Sequence, residues 1–362
     1  MKRFCFAVLA ASFCYGCSPK ESAQPATPSI TSAPELASKP KLKPALAQKY
    51  ETVGSLELKS GSLIDKSAKI QKLGGDFMWS EGPVWIKDGG YLLFTDVPGN
   101  TIYKFKDGEG ITPWMTPSGL PGPKPDWADS QGANGLYPLD EKHIILADHG
   151  NRKLYKLNIE NQEKTILAES FEGKKFNSPN DSVLAKSGII YFTDPPYGHA
   201  KQDESKQKEM SFNGVYALYP DGAIALVDNK LTRPNGIILS PDEKTLYVAN
   251  SDADADDAKW MAYNIDDNGM PDDRRELLNV TEDVKAGAPG LPDGLAIDSN
   301  GNLYATGPGG VLILSPDGER LGLIRTGTAI ANCAFGDDGY TLYMTSNNFL
   351  ARVKTKSKGL HF

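Results

Sequence analysis

The chain has 362 residues, of which 40% are hydrophobic and 23% are charged, with 36 glycines and 25 prolines. This composition indicates a globular protein with one large domain or two ordinary ones. The net charge of -7 at pH 7 argues against a nucleic-acid partner, because such binding depends on lysine and arginine side chains that meet phosphates.

The first sixteen residues have the pattern of a secretory signal. Lys2 and Arg3 precede an apolar core of about ten residues, which is half the length that a membrane-spanning helix needs. Gly16-Cys17 at the end of this segment resembles the cleavage and lipidation site of bacterial lipoproteins, although Cys14 stands where that site usually has leucine. The pattern predicts lipid attachment at Cys17, and a plain periplasmic protein is the alternative.

Residues 17–50 are rich in serine, proline, alanine and lysine, which is typical of a flexible linker. We therefore expect an exported protein of the cell envelope, in the periplasm or at the outer membrane, with the lipid anchor as its membrane contact. Cys5 and Cys14 leave with the signal and Cys17 carries lipid, so Cys333 remains as a single thiol. No disulfide is then available within one mature chain, and a large core must stabilise the fold.

Short apolar runs follow one another from about Thr52 onward. Six of them are variants of one phrase that ends in a small or acidic residue: YLLFTD, HIILAD, IIYFTD, TLYVAN, NLYAT and TLYMT. The unit recurs at intervals of roughly 40 to 60 residues, as the four-stranded blades of propellers do. The sequence therefore predicts an all-β fold, a six-bladed β-propeller over residues 51–362. Residues 69–74 are expected to close the ring against strands from residues 341–355, since closure leaves no long sheet edge exposed.

One polar residue stands at the start of the first strand of every predicted blade. The six residues are Glu81, Asn134, Asn180, Asn235, Asp293 and Asn332. Because the first strand lies nearest the axis of a propeller, these side chains are expected to converge at one end of the central channel. Asparagine and aspartate also shape loops, which is the alternative explanation, but Glu81 has no preference for turns.

The predicted ring offers only oxygen ligands, a set that favours a hard divalent cation. Calcium accepts six to eight oxygens, amide carbonyls included, so Ca²⁺ is the expected cofactor, with Zn²⁺, Mn²⁺ or Mg²⁺ as possible substitutes. A cation with an open coordination position would stabilise the negative charge that develops on an ester carbonyl. Asp293 is then the candidate acid/base; whether it acts as base, as ligand or as both stays open.

Three residues, one from the ring and two outside it, are expected to line a substrate pocket at this end of the channel. Asn134 belongs to the ring, and His149 and Tyr197 follow second strands in neighbouring blades. A position on a surface loop is the alternative for His149, and a packing role is the alternative for Tyr197.

The motifs SEGPVW, SPNDSVL, FTDPPYG, RPNGIILSPDEKTLYVANS, LPDGLAID and ANCAFG, in this order, resemble the gluconolactonase and senescence-marker-protein (regucalcin-like) family. The resemblance spans about residues 70 to 355. It implies a six-bladed propeller that holds one divalent cation at the top of the channel and hydrolyses sugar lactones.

Carried over residue by residue, the resemblance implies that Glu81, Asn235 and Asp293 are the metal ligands. Asn180 matches the position that touches metal-bound water or substrate, and Asp181 matches a second position near the substrate. Animal members carry arginine where this chain has Ser178. Substrate choice is therefore expected to depend on Ser178 and on the loop of residues 198–210.

Three functions are compatible with such a site. The leading one is calcium-dependent hydrolysis of a small-molecule sugar lactone, with Asp293 as metal ligand and acid/base. A phosphotriesterase-type hydrolase on the same metal centre is the first alternative. The second is a propeller without enzymatic activity, in which calcium only pins the blades together. The sequence does not indicate an oligomeric state.

Overall fold

A computed structural model describes residues 50–252 and 257–362. The predicted signal of residues 1–16, the linker up to residue 49 and the lipidation site Cys17 lie outside these ranges, so their assignments stay predictions. Within the described ranges, no helix combines the length and the apolar character that crossing a membrane requires.

The strands form six antiparallel sheets of four or five strands and one short hairpin. Three strands precede the first blade: β1 (Glu51–Val53), β2 (Ser55–Leu58) and β3 (Ile70–Gly75). Blade one contains β4 (Ser80–Ile86), β5 (Tyr91–Asp96), β6 (Thr101–Lys106) and β7 (Gly110–Met115). Blade two contains β8 (Ala133–Pro138), β9 (His143–Asp148), β10 (Lys153–Asn158) and β11 (Lys164–Ala168).

A hairpin of β12 (Ser170–Phe171) and β13 (Lys174–Lys175) leads to the third blade. Blade three contains β14 (Ser182–Leu184), β15 (Ile190–Asp194), β16 (Gly214–Leu218) and β17 (Ile224–Asp228), with a 3-10 turn at Gln202–Glu204. Blade four contains β18 (Pro234–Leu239), β19 (Thr245–Asp252), β20 (Asp257–Ile265) and β21 (Pro271–Asn279).

The short helix α1 (Thr281–Lys285) connects blade four to blade five. Blade five contains β22 (Leu295–Ile297), β23 (Leu303–Gly307), β24 (Gly310–Leu314) and β25 (Arg320–Arg325). Blade six contains β26 (Asn332–Gly336), β27 (Thr341–Ser346) and β28 (Phe349–Lys354). The six inner strands β4, β8, β14, β18, β22 and β26 contact one another in this order, and β26 contacts β4, so the sheets close into a ring. The predicted six-bladed propeller is confirmed.

The six repeated phrases are the second strands of the six blades, as the repeat predicted. Their side chains alternate between two neighbouring blades, because each sheet is covered on both faces. The buried apolar residues accordingly fall into six clusters, one at each contact between consecutive blades. Burial on both faces explains why these strands are continuous apolar runs rather than alternating ones.

The predicted closure is also confirmed, because β3 pairs antiparallel with β28, with Gly75 opposite Phe349. Two further pairings were not predicted. Strand β1 adds to β3 at the outside of blade six, and β2 adds to β25 at the outside of blade five. Both strands are short, and their apolar signal is limited to Val53 in β1 and to the alternation of Leu56 and Leu58 in β2.

Candidate functional site

Three of the six predicted ring residues lie in or beside β-bulges of the inner strands. The pairing register shifts between Glu81 and Val84 in β4, between Ala133 and Leu136 in β8, and between Pro234 and Ile237 in β18. A bulge adds one residue to a strand and changes the direction of its side chains. In blades two and four the polar residue and the glycine after it occupy the bulge, whereas in blade one Glu81 still pairs with Thr95 and the bulge follows it.

The glycine after the polar residue allows neighbouring blades to approach. A Cβ atom on Gly82 would lie 2.0 Å from the Asn134 carbonyl oxygen, and one on Gly236 would lie 2.1 Å from the Asp293 carbonyl oxygen. Real Cβ atoms do not come so close to backbone, so only glycine fits. The Asn-Gly pair of blade four thus serves a contact between blades rather than a hairpin turn.

Threonine hydroxyls of the second strands link the ring residues to their neighbours. Thr95 Oγ1 donates to the Asn134 carbonyl at 3.0 Å, and Thr193 Oγ1 donates to the Asn235 carbonyl at 2.7 Å. Thr306 Oγ1 donates to the Ala331 carbonyl at 2.9 Å. Sequence reasoning missed these links, although the threonine near the end of four of the repeated phrases was the available signal.

The acidic or amide residue that ends a second strand holds the segment leading into the ring. Asp96 accepts from the backbone N–H groups of Met78 and Trp79 at 3.0 and 3.1 Å. Asp194 accepts from those of Asn177 and Ser178 at 2.7 and 2.8 Å, and it is fully buried. Burial raises the pKa of Asp194 to about 7, but its hydrogen bonds give it a structural role.

Three carboxyl groups of the ring region influence one another electrostatically: Glu81, Asp181 and Asp293. Burial, followed by the charge of Glu81, raises the pKa of Asp181 to about 8. Burial, then Glu81 and then Asp181, raises the pKa of Asp293 well above its usual range. Burial also raises the pKa of Glu81, whose Oε2 accepts from the Gly82 N–H at 2.9 Å. Within the described residues, no lysine or arginine contributes to these three shifts.

Two ring amides contact this carboxyl cluster. Asn332 hydrogen-bonds the Glu81 carboxyl, and its Nδ2 lies 3.5 Å from Asp181 Oδ2. Asn235 Nδ2 donates to Ser251 Oγ at 2.9 Å and hydrogen-bonds the Asp293 carboxyl. These two contacts use both hydrogens of the Asn235 amide, so its carbonyl oxygen is the atom left for a ligand.

The donor set fits a hard cation better than any neutral ligand. Buried carboxyl groups that raise one another's pKa lack a positive partner, and divalent cations supply one. In the described ranges, no three His, Cys, Asp or Glu side chains stand together as a ready group of metal ligands. A cation here would thus use Glu81 and Asp293 together with the Asn235 amide oxygen.

The sequence profile described as SMP-30/Gluconolactonase/LRE-like region matches residues 79–348, which contain all six ring residues. The chain belongs to this family. A gluconolactonase of Zymomonas mobilis is 43% identical over 302 residues, which cover 82% of this chain and 84% of that protein. Regucalcin of Oryctolagus cuniculus is 28% identical over 73% of this chain and 82% of its own.

Among solved structures, a gluconolactonase from Xanthomonas campestris superposes with a TM-score of 0.71. Its sequence is 26% identical, and the match covers 87% of this chain and 99% of that one. These likenesses confirm the resemblance to gluconolactonases and regucalcins that the sequence motifs indicated.

Asn180 and Asp181, which the family pattern assigned to substrate contacts, lie side by side at the start of the inner strand of blade three. Asn180 lies between blades two and three, where its carbonyl accepts from the Gly135 N–H at 2.8 Å. Asp181 stands where four of the other blades have glycine, and its carboxyl joins the cluster. Tyr197 also reaches this region. Burial, followed by the nearby charge of Asp293, raises the pKa of its hydroxyl.

The expectation that Ser178 helps to choose the substrate is not supported by its position. Ser178 is fully buried. Its Oγ donates to the Pro195 carbonyl at 2.6 Å and accepts from the Gly198 N–H at 2.8 Å. Where animal family members have arginine, this chain has a residue that fastens the turn of Pro195 to Gly198. That turn carries Tyr197.

A cavity of about 630 Å³ is the part of the central channel that opens at the opposite face. Asp181 and Asn332 lie among its lining residues, whereas Glu81, Asn235 and Asp293 do not. The cavity is mostly walled by the apolar residues of the inner strands, such as Val84, Leu136 and Val183. The cavity therefore reaches the carboxyl cluster from the face opposite the ring residues. It is not the predicted substrate pocket.

Proposed function

We propose that this protein is a calcium-dependent hydrolase of sugar lactones. The observation that carries the proposal is the ring itself, in which Glu81, Asp293 and the Asn235 amide offer oxygen atoms that lack a cationic partner. Membership of the gluconolactonase family and the 43% identity to a named gluconolactonase support the same activity.

Calcium, when bound, would act as the Lewis acid that polarises the lactone carbonyl. The chain's own residues have three tasks. Glu81, Asn235 and Asp293 would hold the cation, and the glycine after each of them lets the neighbouring blade approach closely enough to fix their positions before substrate arrives. Asp293 accepts a proton from the attacking water at a carboxylate oxygen. It then returns that proton to the ring oxygen as the carbonyl carbon–oxygen bond breaks, which yields a hydroxy acid.

Asn180, Asp181 and Tyr197 are proposed to orient the lactone. Tyr197 can donate from its hydroxyl, because its raised pKa keeps that group protonated at neutral pH. The Asn180 side chain is buried beside the cluster and offers both donor and acceptor atoms.

Proton release from glucono-1,5-lactone, corrected for spontaneous hydrolysis, tests the proposal. We expect catalysis with calcium, its loss with chelator, and its loss in Asp293→Asn. Asp317→Asn, on an exposed turn between β24 and β25, is the matched control and should leave the rate unchanged. Full activity in chelator or in Asp293→Asn would contradict the proposed mechanism.

A calcium-dependent rise in melting temperature without lactone hydrolysis would overturn the substrate assignment but keep the metal site. Phosphotriesters would then be the next substrates to measure. Failure with these as well would favour the propeller in which calcium only pins the blades.

We further propose that the enzyme is exported and held at the cell envelope by lipid on Cys17. The support is the order of basic start, apolar core, Gly16-Cys17 and polar linker. The propeller would then face the periplasm or the exterior on a flexible tether.

A further inference from the structure

Asn134 has a buried oxygen atom that the protein leaves unused. The residue is only 6% exposed, and its Oδ1 has no hydrogen-bond partner among the described residues. A buried acceptor without a partner is unfavourable, and in a ligand site it commonly awaits a ligand. The ring residues Asn235 and Asn332 differ, since their amides interact with the carboxyl cluster.

His149 holds the amide of Asn134 from the other side. Asn134 Nδ2 lies 3.1 Å from His149 Nε2, and Ser130 Oγ lies 2.8 Å from His149 Nδ1. His149 is 2% exposed, and burial lowers its pKa to about 3, so the ring is neutral and carries one N–H. An amide nitrogen only donates, so Nε2 must accept and Nδ1 must carry the hydrogen that it donates to Ser130.

This arrangement leaves the oxygen as the atom that Asn134 presents to a ligand. Nδ2 is directed at His149, whose other ring nitrogen contacts Ser130, and Oδ1 has no partner among the described residues. The pair therefore presents an acceptor. Such an atom suits a hydroxyl group of the substrate.

We propose that Asn134 Oδ1 accepts a hydrogen bond from a ring hydroxyl of the lactone, and that His149 with Ser130 is the positioning pair that directs it. The inference rests on the proposed lactonase function and names the substrate class, a polyhydroxylated rather than an unsubstituted lactone. A site that hydrogen-bonds a hydroxyl discriminates strongly against analogues that lack it, because the acceptor is then left buried and unpaired.

Binding of 1,5-anhydro-D-glucitol, a ring polyol without a carbonyl, tests the inference independently of hydrolysis. By calorimetry in calcium, Asn134→Leu should bind this polyol roughly tenfold more weakly than the wild type. His149→Phe should show a similar loss, because the amide is then free to turn. His149→Gln should recover most of the affinity, since its amide can again accept from Asn134 and donate to Ser130.

The controls separate this role from a general structural one. His143→Phe changes another histidine of blade two. His143 lies at the start of β9, away from the ring residues, so this variant should leave polyol binding unchanged. Calcium affinity, measured by titration of each variant, should stay at the wild-type value. On substrates, kcat/KM of Asn134→Leu should fall for glucono-1,5-lactone but not for δ-valerolactone, which has no hydroxyls.

Two results would overturn the inference. Equal polyol binding by the wild type and Asn134→Leu, including no binding by either, would mean that Asn134 does not recognise a hydroxyl. A weaker calcium affinity in Asn134→Leu would assign the oxygen to the cation instead. Absence of lactone hydrolysis with the polyol pattern intact would count against the proposed function alone. The two His149 variants keep the test valid if Asn134→Leu does not fold.

Discussion

Gly236 of blade four lies so close to the Asp293 segment that a side chain has no room there. A Cβ atom would lie 2.1 Å from the Asp293 carbonyl oxygen. Its backbone dihedrals are ordinary, so the close approach to the Asp293 carbonyl, rather than backbone strain, requires glycine. The same carbonyl belongs to the residue that we propose as metal ligand and acid/base. Packing at this position therefore bears directly on the geometry of the site.

Gly236→Ala should destabilise the protein by about 1–3 kcal/mol, because the added methyl group displaces backbone of the next blade. Urea unfolding measures the loss, and a calcium titration should show weaker binding in the same variant. Gly61→Ala is the matched control, since a Cβ there would meet nothing closer than 3.8 Å. Wild-type stability in Gly236→Ala would mean that the blades separate more easily than the structure indicates.

His149 gives the folded protein a pH dependence with a definite sign. Its pKa is about 3 in the folded state, below the usual value near 6.5, so the unfolded chain binds more protons between these values. The stability that neutral His149 contributes is complete above about pH 6.5 and is lost as the pH falls toward 3. The loss is at most about 1.4 kcal/mol per pH unit.

Urea unfolding between pH 7 and pH 5 measures this effect. His149→Gln, which cannot titrate, should lose less stability over that range than the wild type. His199 has a lowered pKa for the same reason, burial, so some pH dependence should remain in the variant. Identical slopes for both proteins would show that His149 does not stay neutral in the folded state.

At this scale the sequence predicts which residues converge but not how each is held. The six ring positions follow from repetition, and side-chain interactions relate four of them, Glu81, Asn332, Asn235 and Asp293. The partners Ser130 and Ser251 come from other strands and connections, so no spacing along the chain indicates them, whereas Thr193 is one of the threonines that recur in the repeated phrases. Ser178 was misjudged for the same reason, since its burial depends on a turn seventeen residues away.

Among the elements, the closing pair β3–β28 has the greatest influence on the fold. Leu350 of β28 is fully buried and packs in one cluster with Leu73, Phe77 and Tyr343, between blades six and one. The cluster joins the two ends of the described chain. Its stability should therefore affect the whole ring rather than one blade.

Leu350→Ala should cost about 2–5 kcal/mol, the usual range when a buried leucine is truncated and leaves a cavity. The free energy of unfolding, measured in urea, checks the value. Ile166→Ala is the control, because Ile166 is a large apolar residue that is 48% exposed, on outer strand β11. A loss below 1 kcal/mol in Leu350→Ala would mean that closure contributes little.

The predictability of the strands follows their burial. The second strands are covered on both sides, so their sequences are apolar throughout and were identified in all six blades. Strands β1 and β2 lie at sheet edges, where Val53, Leu56 and Leu58 are only partly buried against the core. Such strands depend on tertiary context, which a single sequence does not contain.

For the whole molecule, the export prediction can be examined separately from the enzyme activity. Expressed with its full sequence in a bacterial host, the wild type should fractionate with membranes, because lipid on Cys17 would anchor it. Cys17→Ser should move to the soluble fraction. Cys5→Ser, within the predicted signal, is the control and should stay with membranes. Membrane association of Cys17→Ser would contradict the lipid anchor.

The pairing of β3 with β28 also has a consequence for the time course of folding. Blade six takes its outer strands from the start of the propeller and its other three from the end, so it cannot be completed until the last residues are available. Contacts between residues so far apart in sequence form slowly, because a long loop must close first. During synthesis β3 therefore waits as an unpaired edge, the kind of strand that joins foreign chains. In the exported protein that we propose, this edge would stay unpaired until the chain has crossed the membrane.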